Sequence, residues 1–185
     1  MKMRLALYPL LAMGAILVAG ANLAAQNADS AKITTLLQHA REHAATANAD
    51  AEQIDAYTLS RTDWRLHSDR INIMKENFNE LAKDVGELTA AREEASPWQK
   101  EAIDDINPLL RSLADHMTAM INHLNDNPNR VHMPAYVSYA KANYELSQKL
   151  LAMINDYVGY AEAKARAEDL EQKLALTAEP SSGQE

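Results

Sequence analysis

Apolar residues recur along most of this chain at alternating spacings of four and three, the signature of helices that bury one stripe. A first segment, roughly Ser30 to Thr58, carries Ile33, Leu37, Ala40, Ala44, Ala47, Ala51 and Ile54 in that rhythm, with Asp29 or Ser30 placed to cap it. The alanines on this stripe predict close approach of a neighbouring helix. A second segment, Asp63 to Ala95, repeats the pattern with His67, Ile71, Met74, Phe78, Leu81, Val85 and Leu88. No Gly or Pro separates the two. Their phases do: the 13 steps from Ile54 to His67 would set the second stripe roughly 140° from the first on one straight helix. A turn near "TLSRTD" follows, with Ser60 or Thr62 capping the next helix.

"SPWQKEA" predicts a helix start, with Ser96 as cap, Pro97 at the first helical position and Gln99 completing a capping box. The third segment runs to about Asn125 on Ile103, Ile106, Leu110, Leu113, Met117, Met120 and Leu124. Its stripe keeps phase across Pro108, which predicts a kink within one helix. "NDNPN" then supplies turn residues, and Pro134 restarts the chain as a fourth helix. That helix is expected to bury Tyr136, Ala140, Tyr144, Ser147, Leu151, Ile154, Val158 and Ala161. Beyond Gly159 a different stripe, Ala163, Ala167, Leu170 and Leu174, faces nearly the opposite way, so the helix is expected to extend past the body of the protein or to bend. The fold expected is all-α, an antiparallel up-down-up-down four-helix bundle with a kinked third helix and an extended fourth helix.

Residues 1–25 read as a cleavable signal peptide: Lys2 and Arg4 precede an apolar run from Leu5 to about Ala19, and small residues follow. Cleavage after Ala21 or Ala25 is expected, and a secreted or periplasmic location with it. The bundle domain is expected over residues 26–176 and a disordered tail over 177–185. Removal of the leader leaves 16 of the 18 basic residues against 26 acidic ones, a net charge of −10. Such a balance disfavours nucleic acid and anionic membrane surfaces, and favours cations or basic partners.

The chain has no cysteine, which removes disulfides, thiolate metal sites, a lipidated N-terminal cysteine and covalent haem. No Glu-x-x-His pair of the di-iron bundles occurs. Neither does a Gly-x-Ser-x-Gly elbow or a glycine-rich phosphate loop, so no enzyme is expected. Six histidines remain. His39 and His43 in "HAREH" stand at a spacing that can share a metal, but both fall on the flank of the first stripe. His116 and His123 share one flank of the third helix, where they are expected either to line a groove with Trp98 and Leu109 or, the preferred reading, to be boundary residues. His67 occupies a stripe itself, and the topology brings it to one bundle end with His123 and His132, near Asp63, Asp126, Tyr57, Trp64 and Tyr136. Three imidazoles beside a carboxylate suit Zn2+ or Cu2+. A cluster that closes the core by hydrogen bonding fits the same residues.

The run "SPWQKEAIDDINPLLRSLADHMTAMINHLNDNPNRVHMPAY" resembles uncharacterised secreted helical proteins of soil bacteria, and that resemblance implies export and a helical bundle. In size and export the chain also resembles small periplasmic helical stress proteins, but their Leu-Thr-x-x-Gln repeats are missing, with "ELTAAREEA" as the nearest remnant. The function expected is non-catalytic: a binding or envelope accessory protein with an unknown protein partner or self-association, through Leu170 and Leu174 or an open groove. The alternative is a metal- or b-type-haem-binding bundle that uses the histidines at one end.

Overall fold

The computed structural model describes residues 28–60 and 62–178. Four helices follow one another: α1 (Ala31–Leu59), α2 (Trp64–Ala90), α3 (Pro97–Asp126) and α4 (Pro134–Ala178), with a single 3-10 turn, Arg92–Glu94, between α2 and α3. No strand occurs among the described residues, and no helix there is long and apolar enough to cross a membrane. The signal peptide expected over 1–25 lies outside the described residues. So does the tail from 179 onward, although residues 177 and 178 are helical and belong to α4.

Cross-helix contacts fix an antiparallel arrangement. His43 meets Asp84, and further along α1 Asp50 meets Arg70. In the same way Arg41 meets Glu162 and Asn48 meets Ser147. The first three stripes are buried as the spacing predicts, from Ile33 to Ile54, His67 to Leu88 and Ile103 to Leu124. Five small residues on the inner face of α1 (Ala40, Ala44, Ala47, Ala51 and, beside them, Asp50) keep its surface low. Accordingly α1 packs closely along both α2 and α4, while the backbones of α2 and α3, which bury the bulkier Met74, Phe78, Met117 and Met120 in the same core, approach less often.

The helix ends differ from expectation in two places. Asp63 caps α2, its Oδ1 accepting from the Arg65 N–H at 2.9 Å. Ser60 and Thr62 instead bond to each other in the turn. The carboxylate wins because it reaches the orphan amides while also favouring the positive end of the helix. At the other end α2 stops at Ala90, and the chain turns through Arg92–Glu94 into an extended Ser96, the conformation that Pro97 favours in the residue before it. Within α3 the helix continues through Pro108, which lies on the exposed face between the buried Ile106 and Leu110.

The fourth stripe is corrected at two positions. Asn143 and Leu150 are buried, and Tyr144 and Leu151 only partly so. Asn143 enters the interior with its amide nitrogen donating to the Tyr139 carbonyl at 2.8 Å, while its Oδ1 is buried without a hydrogen-bond partner. Burial along α4 ends at Ala161, and residues 165–175 are all exposed. With 45 residues against 27 to 30 in the others, α4 is about 68 Å long where they are about 40–45 Å, at about 1.5 Å per residue. It leaves the bundle as an arm.

Candidate functional site

The two ends of the bundle are built from different chemistry. The end that holds the starts of α1 and α3 is closed by Gln99, fully buried on α3. Its Oε1 accepts from the Ser30 N–H at 3.0 Å and the Ser96 N–H at 3.1 Å, and its Nε2 donates to the Ser30 carbonyl at 3.0 Å and Thr34 Oγ1 at 3.2 Å. The glutamine of the capping box thus serves two helix starts at once. Asp29, expected as a cap, ties three elements together: Trp98 Nε1 donates to it at 2.6 Å and Lys164 Nζ at 2.8 Å. Burial pushes its carboxyl up, but hydrogen bonds from Lys164, Ser96 and Trp98 outweigh that and hold it below the usual value. Trp98 also stacks edge-on against Tyr160, 5.2 Å between centroids. This is where the α4 arm departs.

The opposite end carries the histidines. The turn in "HLNDNPNRVHMPAY" is held by Asn127, whose N–H donates to the His123 carbonyl at 2.9 Å, and by the Arg130 N–H to the Asn127 carbonyl at 2.9 Å. Val131 folds back into the core from this turn, a burial that its position among polar residues gave no reason to expect. Beneath it runs a file of rings: Tyr57 against His67 at 5.5 Å, His67 against Tyr136 at 5.3 Å, His123 against Tyr136 at 5.9 Å and against Tyr139 at 6.2 Å.

His67 is 0% exposed, and its Nδ1 lies 2.9 Å from the Tyr136 hydroxyl. Burial, and to a smaller extent the charge of His132, pushes its pKa down to about 4, so it is neutral under ordinary conditions. Burial alone pushes the Tyr136 hydroxyl up, which keeps it a neutral donor. His67 Nε2 and His123 Nε2 are buried without a hydrogen-bond partner. His132 lies exposed on the turn. The sequence therefore places His67, His123 and His132 at one end correctly, but the ligand set they suggested is not assembled. Among the described residues no three His, Asp or Glu side chains converge so as to hold a metal ion. His67 spends one nitrogen on Tyr136 and turns the other into the core, and Asp63 is engaged in capping α2. The arrangement is that of a closed aromatic and polar plug.

The remaining sequence candidates fall elsewhere. His116 Nδ1 is 2.9 Å from the Ser112 carbonyl one turn earlier, and it is a boundary residue of α3. It shares no groove with Trp98 and His123, which lie near opposite ends of that helix, about 37 Å apart along its axis. A groove does open between α3 and α4, about 410 Å3 in volume, lined by Asp105, Lys149, Met153, Asp156 and Tyr157. The Tyr157 hydroxyl donates to Asp105 at 2.7 Å. Partial burial, that bond and the negative charge of Asp105 and Glu101 push its pKa up, which rules it out as a ready base. Leu170 and Leu174 on the arm are 53% and 69% exposed.

The α1–α2 seam holds polar pairs that hydrophobic periodicity does not reveal. Asp50, buried, accepts from Arg70 Nη1 at 2.9 Å and Asn77 Nδ2 at 2.6 Å. Asp84, also buried, lies 2.7 Å from His43 Nδ1. The α2 partners Arg70, Asn77 and Asp84 recur every seven residues. That spacing is the signal a heptad-aware reading would have found.

Comparison of the chain with protein-family models, with curated proteins and with solved structures gives no match.

Proposed function

We propose that the protein is an exported, non-catalytic helical bundle that works by binding a protein, either a partner or a second copy of itself, along the arm of α4. The observation that carries this reading is the length of α4. Its last turns run about 21 Å beyond the bundle, with Leu170 and Leu174 more than half exposed on an otherwise charged rod. An apolar side chain such as Leu170, more than half exposed on a projecting helix, is a common element of helix-recognition surfaces. The arm is also charge-patterned, with Lys173 bound to Asp169 at 2.6 Å and Lys164 within 3.9 Å of Glu168. Such pairs support a helix that stands in water. Export rests on the leader-like residues 1–25, and the non-catalytic reading on a sequence without cysteine, a Gly-x-Ser-x-Gly elbow or a glycine-rich phosphate loop.

The test is the double variant Leu170→Asp with Leu174→Asp. Sedimentation of the wild-type chain over a range of concentrations, and crosslinking in the cell envelope, should show self-association or a defined crosslinked partner that the variant loses while its circular dichroism stays unchanged. A wild-type chain that sediments as a monomer and crosslinks to nothing, or a variant that associates as the wild type does, would sink the reading.

A further inference from the structure

The pair His39 and His43 takes on a different character once α2 is in place. Histidines four apart on a helix have Cβ atoms roughly 5–6 Å from each other, a spacing from which both imidazoles reach one metal ion. What such a pair ordinarily lacks is orientation, because each ring rotates freely. Here one ring is held. Asp84, on α2, is buried, with its side chain 11% exposed, and its Oδ2 lies 2.7 Å from His43 Nδ1, whose side chain is 37% exposed. A carboxylate only accepts, so Nδ1 carries the proton and the Nε2 lone pair is directed away from α2. A carboxylate behind an imidazole whose far nitrogen is left for a metal is the arrangement that orients ligands and raises their basicity in metal sites. His39 is exposed one turn earlier.

We propose that His39 and His43 form a two-imidazole site for a divalent first-row transition metal ion, with Asp84 as the positioning residue for His43. Imidazole nitrogens suit Cu2+, Ni2+ and Zn2+, and Cu2+ binds such donors most tightly. Among the described residues no third His, Asp or Glu completes a set, so water fills the remaining positions and the ion exchanges with the medium. The net negative charge of the chain favours a cation in the same direction. The site stands apart from the α4 arm and does not depend on it.

The test uses the full untagged chain and CuCl2, with affinity read by competition against a chromophoric chelator and ligation read by electron paramagnetic resonance. One Cu2+ per chain is expected, with hyperfine structure from two nitrogens. His39→Ala and His43→Ala should each weaken binding at least 10-fold and reduce the nitrogen count to one. Asp84→Asn, with both ligands intact, should weaken it about 10- to 100-fold, and ZnCl2 should bind the wild type more weakly than CuCl2. Equal affinity in His39→Ala and the wild type overturns the site, whatever Asp84→Asn does to folding, because His39 is on the surface. Loss with His39→Ala but none with a folded Asp84→Asn overturns the role given to Asp84.

Discussion

Tyr136→Phe removes one oxygen from the histidine-bearing end and leaves its shape unchanged. The lost hydroxyl is 2.9 Å from His67 Nδ1, and both residues are fully buried. His67 Nε2 already has no partner, so the variant leaves an imidazole in the core with neither nitrogen bonded. Stranding a buried polar group in this way costs about 1–3 kcal/mol. His67→Leu strands the Tyr136 hydroxyl instead and should cost a similar amount. Replacing both removes the whole polar pair, so the double variant should lie within about 1.5 kcal/mol of the wild type. Urea unfolding followed by circular dichroism measures all four corners of the cycle. A 2 kcal/mol loss would lower Tm by roughly 4–8 °C in a domain of this size.

The same cycle has a pH limb. Burial sets the His67 pKa near 4, below the ordinary 6.5. Above pH 6.5 folded and unfolded chains both carry the neutral ring, and nothing is lost. Between 6.5 and 4 only the unfolded chain takes up the proton, so stability falls by up to roughly 3 kcal/mol, and the loss is complete below 4. The double variant should lack that slope. Losses that simply add in the double variant, together with a pH profile that matches the wild type, would refute the account of this end as a paired polar plug.

Gln99→Ala strips partners from Ser30, Thr34 and Ser96 together. It should lower stability by about 2–4 kcal/mol in thermal or urea melts, some of the freed groups regaining water. Gly86→Ala and Gly159→Ala should act in the opposite direction, each adding about 0.5–1 kcal/mol. Both glycines are inside helices, and a Cβ at either would meet nothing within 4 Å. A Tm that drops in both glycine variants would contradict the helix-interior placement.

Sequence periodicity proved sufficient where the interior is apolar. The stripes of α1, α2 and α3 could be counted in steps of three and four because burial of Ile, Leu, Met, Phe and Ala is non-directional and repeats with the helix. It placed His67 and Ser147 inside but missed Asn143, Asp50 and Asp84. Counting along α4 put Tyr144 on the stripe, whereas the neighbouring Asn143 is the residue that is buried. Asp50, Asp84 and Gln99 are acceptable inside only because partners 69, 41, 27 or 20 residues away complete their hydrogen bonds. Such pairings are non-local, and no single stretch of the chain displays both halves. The histidine end shows the same boundary. Counting along helices brought His67, His123 and His132 together, whereas the direction in which each ring points depends on Tyr136 and on the turn that carries Val131.

The arm of α4 has a mechanical consequence. One uninterrupted helix joins Tyr136 to Leu170, 34 residues apart, a span of about 51 Å. About three-quarters of the way along that span, Arg41 grips Glu162 and Asp29 grips Lys164, which makes the mouth of the bundle a fulcrum. A load on Leu170 therefore tilts the buried half of the same rod and is felt at the contact between Tyr136 and His67. Gly159, the single glycine in α4, is the softest point along the lever, and Gly159→Ala would stiffen it.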